Sequence, residues 1–259
     1  MEKLNYSRKE LISILHSFGE EHQVNIQFAA VIGSKGVQLD MLDSDYDVGV
    51  VVDKLQKDII LCKEYRTSID IWLLKYRAIE KARARLPQLT FPTVLYRDNV
   101  QFDFKCSEYR QNEKIATFLI PMICSGEILV DNTIIKSQVR SIDVVDYFYT
   151  RTYGNLINCL RKDSVMARKY LTTVYGILQI DSVLRSNKVQ KGVYTLLESS
   201  EEIQTYMVEI QSLLEANKKY GKKAFVERNE TLNNFISMRL LEQKQKIAGM
   251  EKDIIIDFG

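Results

Sequence analysis

The sequence predicts an α+β fold, with a mixed sheet in an N-terminal α/β lobe and a helical lobe after it. Three observations carry this expectation. Apolar, β-branched runs of strand length recur at residues 24–32, 46–52 and 68–74. From about Glu108 onward the texture changes to long helical periodicity. Prolines almost disappear at the same point, with Pro87 and Pro92 before it and Pro121 alone after it. The 259 residues, 46% of them hydrophobic, suffice for one large domain or two modest ones, and the change of texture divides them into 1–107 and 108–259.

Residues 7–21 read as an amphipathic helix. Ser7 stands at its N-cap with Glu10 three residues on, a pair that can satisfy two orphan backbone donors reciprocally. Leu11, Ile12, Ile14, Leu15 and Phe18 form its apolar face. Residues 24–32 make the first strand, 46–52 the second and 68–74 the third strong one. Residues 59–63 continue the sheet or form a short helix, and 76–86 are helical until Pro87 and Pro92 interrupt. Residues 93–96 and 100–104 are short strand-like pieces about a turn at Arg97-Asp98-Asn99, weak enough to be placed at a sheet edge. The later helices are expected at 113–125, 137–161, 165–186, 201–218 and 222–248, and 253–259 is a docked strand or a tail. A cleft between the two lobes is the expected place for a ligand.

Composition excludes several classes. A net charge of +2 rules out a uniformly basic nucleic-acid binder, so any such contact must be a local patch. Cys62, Cys106, Cys124 and Cys159 are far apart, without zinc-ligand spacing, and are expected to be reduced core residues. His16 and His22 are the only histidines, which leaves no basis for a histidine metal site or triad. No apolar run approaches the roughly 20 residues of a membrane span. A soluble, cytoplasmic chain is expected.

The densest chemistry lies between the first two strands. Asp45 and Asp47 alternate with Tyr46, so both carboxylates leave the strand on one face. Two adjacent carboxylates repel unless a cation lies between them, and oxygen ligands suit Mg²⁺ or Mn²⁺. Gly33 permits a tight turn with exposed N–H groups, and Ser34 adds a hydroxyl, so the pair can hold a phosphate against the metal. The calcium-loop pattern of spaced aspartates followed by glycine and a closing glutamate is absent.

Gly33-Ser34 followed by Asp45-Tyr46-Asp47 resembles the signature of the DNA polymerase β-like nucleotidyltransferase superfamily. Leu39-Asp40 and Asp43-Ser44-Asp45-Tyr46-Asp47 are similar to the branch of predicted nucleotidyltransferases linked to RNA repair. Gln38 stands where that branch usually has glycine, and Gly49 where it often has arginine.

The resemblance implies transfer of a nucleoside monophosphate from a nucleoside triphosphate such as ATP to an acceptor hydroxyl, with two metal ions and release of pyrophosphate. It also implies a third carboxylate on a neighbouring strand. Asp70, between Ile69 and Ile71 on the next strong strand, fits best, and Asp103 within Val100-Gln-Phe-Asp-Phe104 is its rival. In this scheme Asp45 and Asp47 bridge both metals and Asp70 completes the one that activates the acceptor. Gly33 and Ser34 cradle the β- or γ-phosphate, with Lys35 either adding charge there or simply solvated. Arg168-Lys169-Tyr170 resembles the Lys-Lys-Tyr that opens a helix in the RNA-repair-like branch, which makes Lys169 a phosphate ligand or a helix residue beside the core. Asp40 and Asp43 read as turn-formers. Lys218-Lys219 and Lys222-Lys223 are solvated loop charges or a polyanion site. Trp72, Tyr147, Phe148, Tyr149 and Tyr153 are packing residues or base-stacking ones. The acceptor favoured is an RNA 3′ end of tRNA-like form. A protein, a small molecule, a toxin-like role, a nucleotide-sensing module without turnover and a structural protein with an acidic turn are the alternatives.

Overall fold

The computed structural model describes residues 6–21, 23–40, 44, 46–52, 91–97, 100–108, 116–137, 139–251 and 254–258. Asp43, Asp45, Asp70 and Trp72 lie outside these residues, as do the expected strand at 68–74, the segment 59–63 and the helix at 76–86. Within the described residues the fold is α+β.

Helix α1 (Arg8–Glu21) opens with the reciprocal cap that its sequence specifies. The Ser7 N–H and hydroxyl donate to Glu10 Oε2 at 2.7 and 2.6 Å, and the Glu10 N–H donates back to Ser7 Oγ at 3.4 Å. Strand β1 (Ile26–Ile32) follows, then a single helical turn α2 (Gly33–Gly36), then β2 (Tyr46–Val52). The hairpin β3 (Phe91–Arg97) and β4 (Val100–Glu108) closes with Arg97 opposite Val100, longer in both arms than the sequence suggested.

Among the described residues the main sheet has five strands in the order β3-β4-β2-β1-β5, where β5 is Ile128–Val130. The β2–β4 pair is parallel and the other pairs are antiparallel, so the sheet is mixed. This order corrects one expectation: β4, which carries Asp103, has a neighbour on both sides and is interior. Among the described residues β3 is the outermost strand on that side, a place where Pro92 is tolerated because an edge strand can spare a ladder donor. The fifth strand comes from beyond residue 107, so the chain division expected there falls inside the sheet.

Alternation along β1 and β2 gives the sheet two dry faces. Ala29, Val31, Tyr46, Val48, Val50 and Val52 pack under α1 against Leu11, Ile14, Leu15 and Phe18. Each of those four side chains contributes about 1.5–3 kcal/mol by leaving water. Phe28, Ala30, Ile32 and Val51 face the other way, into the large core shared with the helices. Asp47 and Gly49 share the parity of Val51, so position 47 belongs to the helical side of the sheet.

The helical side begins with α3 (Ala116–Ile123) and a short α4 (Thr133–Lys136) capped by Asn132. Helix α5 (Ser141–Asn155) continues as a π-helical turn (Leu156–Leu160). Helix α6 (Ala167–Ser186) is the central one, with thirteen buried residues between Ala167 and Val183. Around it stand α7 (Val193–Ser199), α8 (Met207–Tyr220) and α9 (Glu230–Ile247). A two-stranded ribbon, β6 (Ser164–Met166) with β7 (Phe225–Glu227), joins the start of α6 to the approach to α9. Helical periodicity was expected to run through both of these segments, and the three-residue strands replace its ends. The C-terminal residues dock by isolated bridges, Ile255 with Arg140 and Asp257 with Lys188.

Candidate active site

The site grows from the junction of β1, α2 and β2. Ile32, the last residue of β1, pairs with Asp47, and Gly33 turns away directly after it. Gly33 has φ of +68°, and a Cβ there would collide with Asp47 Oδ2. The glycine is thus required twice, for its left-handed backbone and for the carboxylate pressed against it. Gly33→Ala is expected to cost about 1–2 kcal/mol from the backbone alone and to displace the Asp47 carboxylate. Chemical denaturation, repeated with Mg²⁺ present, measures both effects.

Ser34 and Ser44 are both buried, and their hydroxyls lie 3.3 Å apart. That contact closes the two ends of the motif on each other, ten residues apart in the chain. The Leu39 N–H donates to the Ser34 carbonyl at 2.8 Å. Gln38, at the position where a glycine was expected, adopts φ of 62° all the same.

The helical side holds this loop in place. The Val193 N–H donates to the Val37 carbonyl at 3.1 Å, and Gly192 (φ +82°) lies so close to Gln38 that a Cβ would strike its amide. Asn217, buried at the end of α8, donates from Nδ2 to the Leu39 carbonyl at 3.2 Å.

The third carboxylate is where the register matters most. In the parallel β2–β4 ladder the Cα partner of Asp47 is Asp103. Register partners in a ladder share a face, so positions 47 and 103 lie side by side on the helical side of the sheet. Both positions carry aspartate, a residue type whose oxygen ligands a hard divalent cation takes. Among the described residues no group of three His, Cys, Asp or Glu forms a ready metal cluster.

Lys35 lies over the opposite face. Its Nζ is 4.3 Å from the centroid of the Tyr46 ring and 3.8 Å from Asp40 Oδ2. Burial raises the Glu127 carboxyl above its usual range, while Arg8 and Lys35 draw it back down. Lys169 lies in the first turn of α6, half-buried, with its carbonyl accepting from the Thr172 and Thr173 hydroxyls at 3.3 and 2.6 Å. Its neighbour Tyr170 is core, with the phenol oxygen accepting the Asn229 N–H at 2.9 Å. Tyr147 and Phe148 meet edge to face, as do Phe148 and Tyr175, so these are packing contacts.

Sequence reasoning missed Asn217 and Gly192, whose only signal was an asparagine at a helix end and a glycine between Lys191 and Val193. A cavity of about 520 Å³ bordered by α6, α7 and α9 involves no motif residue. Its Arg239 is already paired with Asp181, Glu202 and Glu242. Compared with known proteins, the chain matches no protein-family model and no curated protein. No helix among the described residues is long and apolar enough to cross a membrane.

Proposed function

We propose that this chain is a metal-dependent nucleotidyltransferase that moves a nucleoside monophosphate from a nucleoside triphosphate to an acceptor hydroxyl on RNA, with release of pyrophosphate. In this reading the N-terminal sheet is the catalytic lobe, the helices form the second lobe, and the cleft between them takes the triphosphate. The observation that carries the reading is the register of Asp47 with Asp103 on the face where Gly33 closes on the Asp47 carboxylate.

Asp45, Asp47 and a third carboxylate would hold Mg²⁺ or Mn²⁺. When bound, a pair of such ions supplies charge stabilisation at the attacking and leaving oxygens. The chain's own residues do the rest. Gly33 gives the triphosphate close access to the backbone, and Ser34 offers a hydroxyl at the turn. Asn217 and Val193 fix the loop so that the carboxylates need not reorganise during reaction. Lys35 and Lys169 are the cations proposed for the phosphates, Lys35 by swinging from Tyr46. Between the rival third carboxylates, the register favours Asp103, because its place beside Asp47 follows from the ladder.

Incubation with a radiolabelled nucleoside triphosphate, Mg²⁺ or Mn²⁺ and total RNA tests the proposal. Label is expected in the RNA fraction, and absence of label from RNA with either metal overturns it. Binding has its own readout. Mg²⁺ with triphosphate should raise the melting temperature more than triphosphate alone. At a hundredfold excess over Kd the gain is about 2.7 kcal/mol, or roughly 5–10 °C for a chain of this size. Equal shifts with and without metal would point to a basic pocket.

A further inference from the structure

The molecule carries little net charge, yet cations cluster where two distant segments meet. Residues 164–170 and 217–226 contain Arg168, Lys169, Lys218, Lys219, Lys222 and Lys223, and no carboxylate. The β6–β7 ribbon brings these two segments together, with Met166 opposite Phe225 and the Ala167 N–H donating to the Ala224 carbonyl at 2.8 Å. Six cations thus collect around one end of a two-stranded ribbon, although they come from stretches about fifty residues apart in sequence.

Aromatic rings stand among these charges. Phe225 is 59% exposed on the outer face of the ribbon, and Tyr220 is 56% exposed at the end of α8. The Lys219 ammonium lies 4.9 Å from the Tyr220 ring centroid. Val165 and Val226, the register pair between the outer positions, face inward, so the ribbon already spends its apolar side on the core. Phe225 is surplus to that packing. Glu227, two residues on, shares that outer face. An exposed ring that follows four lysines, Lys218, Lys219, Lys222 and Lys223, suits no core. It suits alternating phosphates and bases, where the cations track the backbone and the rings receive unstacked bases.

The position of this surface links it to the motif. Asn217 holds the Leu39 carbonyl, and Lys218, Lys219 and Tyr220 follow it directly. At 1.5 Å per residue, Tyr220 is only about 5 Å along the helix axis from the residue that grips the acidic loop. We propose that the ribbon end formed by Lys218, Lys219, Tyr220, Lys222, Lys223 and Phe225 is the docking surface for a single-stranded segment of the RNA acceptor, leading its end toward the acidic loop. The delivery role rests on the nucleotidyl-transfer reading, and the binding surface does not.

Fluorescence anisotropy with a labelled single-stranded RNA of roughly a dozen nucleotides, without nucleotide or metal, tests the surface on the full chain. Lys219→Glu with Lys222→Glu and Lys223→Glu should weaken binding at least about a hundredfold and flatten the salt dependence by about two units of log–log slope. Phe225→Ala and Tyr220→Ala should each weaken it about tenfold with the salt slope unchanged. Far-ultraviolet circular dichroism confirms that these exposed substitutions leave the fold intact. No binding overturns the proposal, as does binding that these variants leave unchanged. A duplex RNA or heparin that binds equally tightly, without sensitivity to Phe225→Ala, also overturns it, because the rings would then have no part. The metal-dependent nucleotide shift is measured separately on the same variants. A preserved shift with no RNA binding removes this surface and leaves the transfer reading standing. RNA binding through the surface in a protein with no such shift supports the surface and removes the transfer reading.

Discussion

Asp47→Asn is expected to lower nucleotidyl transfer at least about a thousandfold while the protein stays folded. In the proposed nucleotidyl-transfer reading Asp47 is a shared metal ligand, whose loss would forfeit several kcal/mol of transition-state stabilisation, and each 1.36 kcal/mol is about tenfold in rate. Asparagine keeps the shape that fits against Gly33 and removes the charge. Relief of repulsion with its acidic neighbours should leave the metal-free melting temperature equal or higher. The increment that Mg²⁺ and triphosphate add should disappear. A steady-state transfer assay and a thermal melt, with and without metal, measure the two effects. Wild-type turnover by this variant would remove the enzyme reading altogether.

Asp103→Asn is the second large effect expected, and it decides between two strands. Local pattern cannot separate Asp70 from Asp103, since both sit between apolar residues. Chain order favours Asp70, and the parallel ladder favours Asp103 by setting it beside Asp47. With Asp103 as the third carboxylate, Asp103→Asn should cut transfer by about a hundredfold or more. Nucleotide binding should fall much less, because Asp45 and Asp47 still hold the nucleotide-bound metal. Measuring kcat and triphosphate affinity for Asp103→Asn and Asp70→Asn side by side gives the answer. Full turnover by Asp103→Asn together with a dead Asp70→Asn returns the role to Asp70.

Much of the fold was legible because the relevant physics is local. The α1 cap follows from Ser7 and Glu10, and the bounds of β2 follow from the valine-rich run of Tyr46–Val52, where Asp47 and Gly49 alternate with apolar residues. A hairpin of strands at 93–96 and 100–104 was visible as well, though its longer arms and the interior place of β4 were not. Strand order depends on pairing partners far apart in sequence, and a short strand carries no periodic trace of which neighbour it will take. The same limit hid β5, β6 and β7, each three residues long. In the site, Gly33, Ser34 and Asp47 could be read from spacing within one motif. Asn217 could not, because its role is set by a carbonyl 178 residues earlier.

That separation has a consequence for the chain during synthesis. The acidic motif is complete as sequence by residue 52, but groups that hold Val37, Gln38 and Leu39 come from residues 192–193 and 217. Contacts this distant in sequence form late, after the entropy of closing a long loop has been overcome. A nascent or truncated chain ending before α8 would carry the whole acidic motif without the side chain that grips Leu39. The Val37 to Leu39 segment would then take its final shape only after residues 192–217 have folded against it.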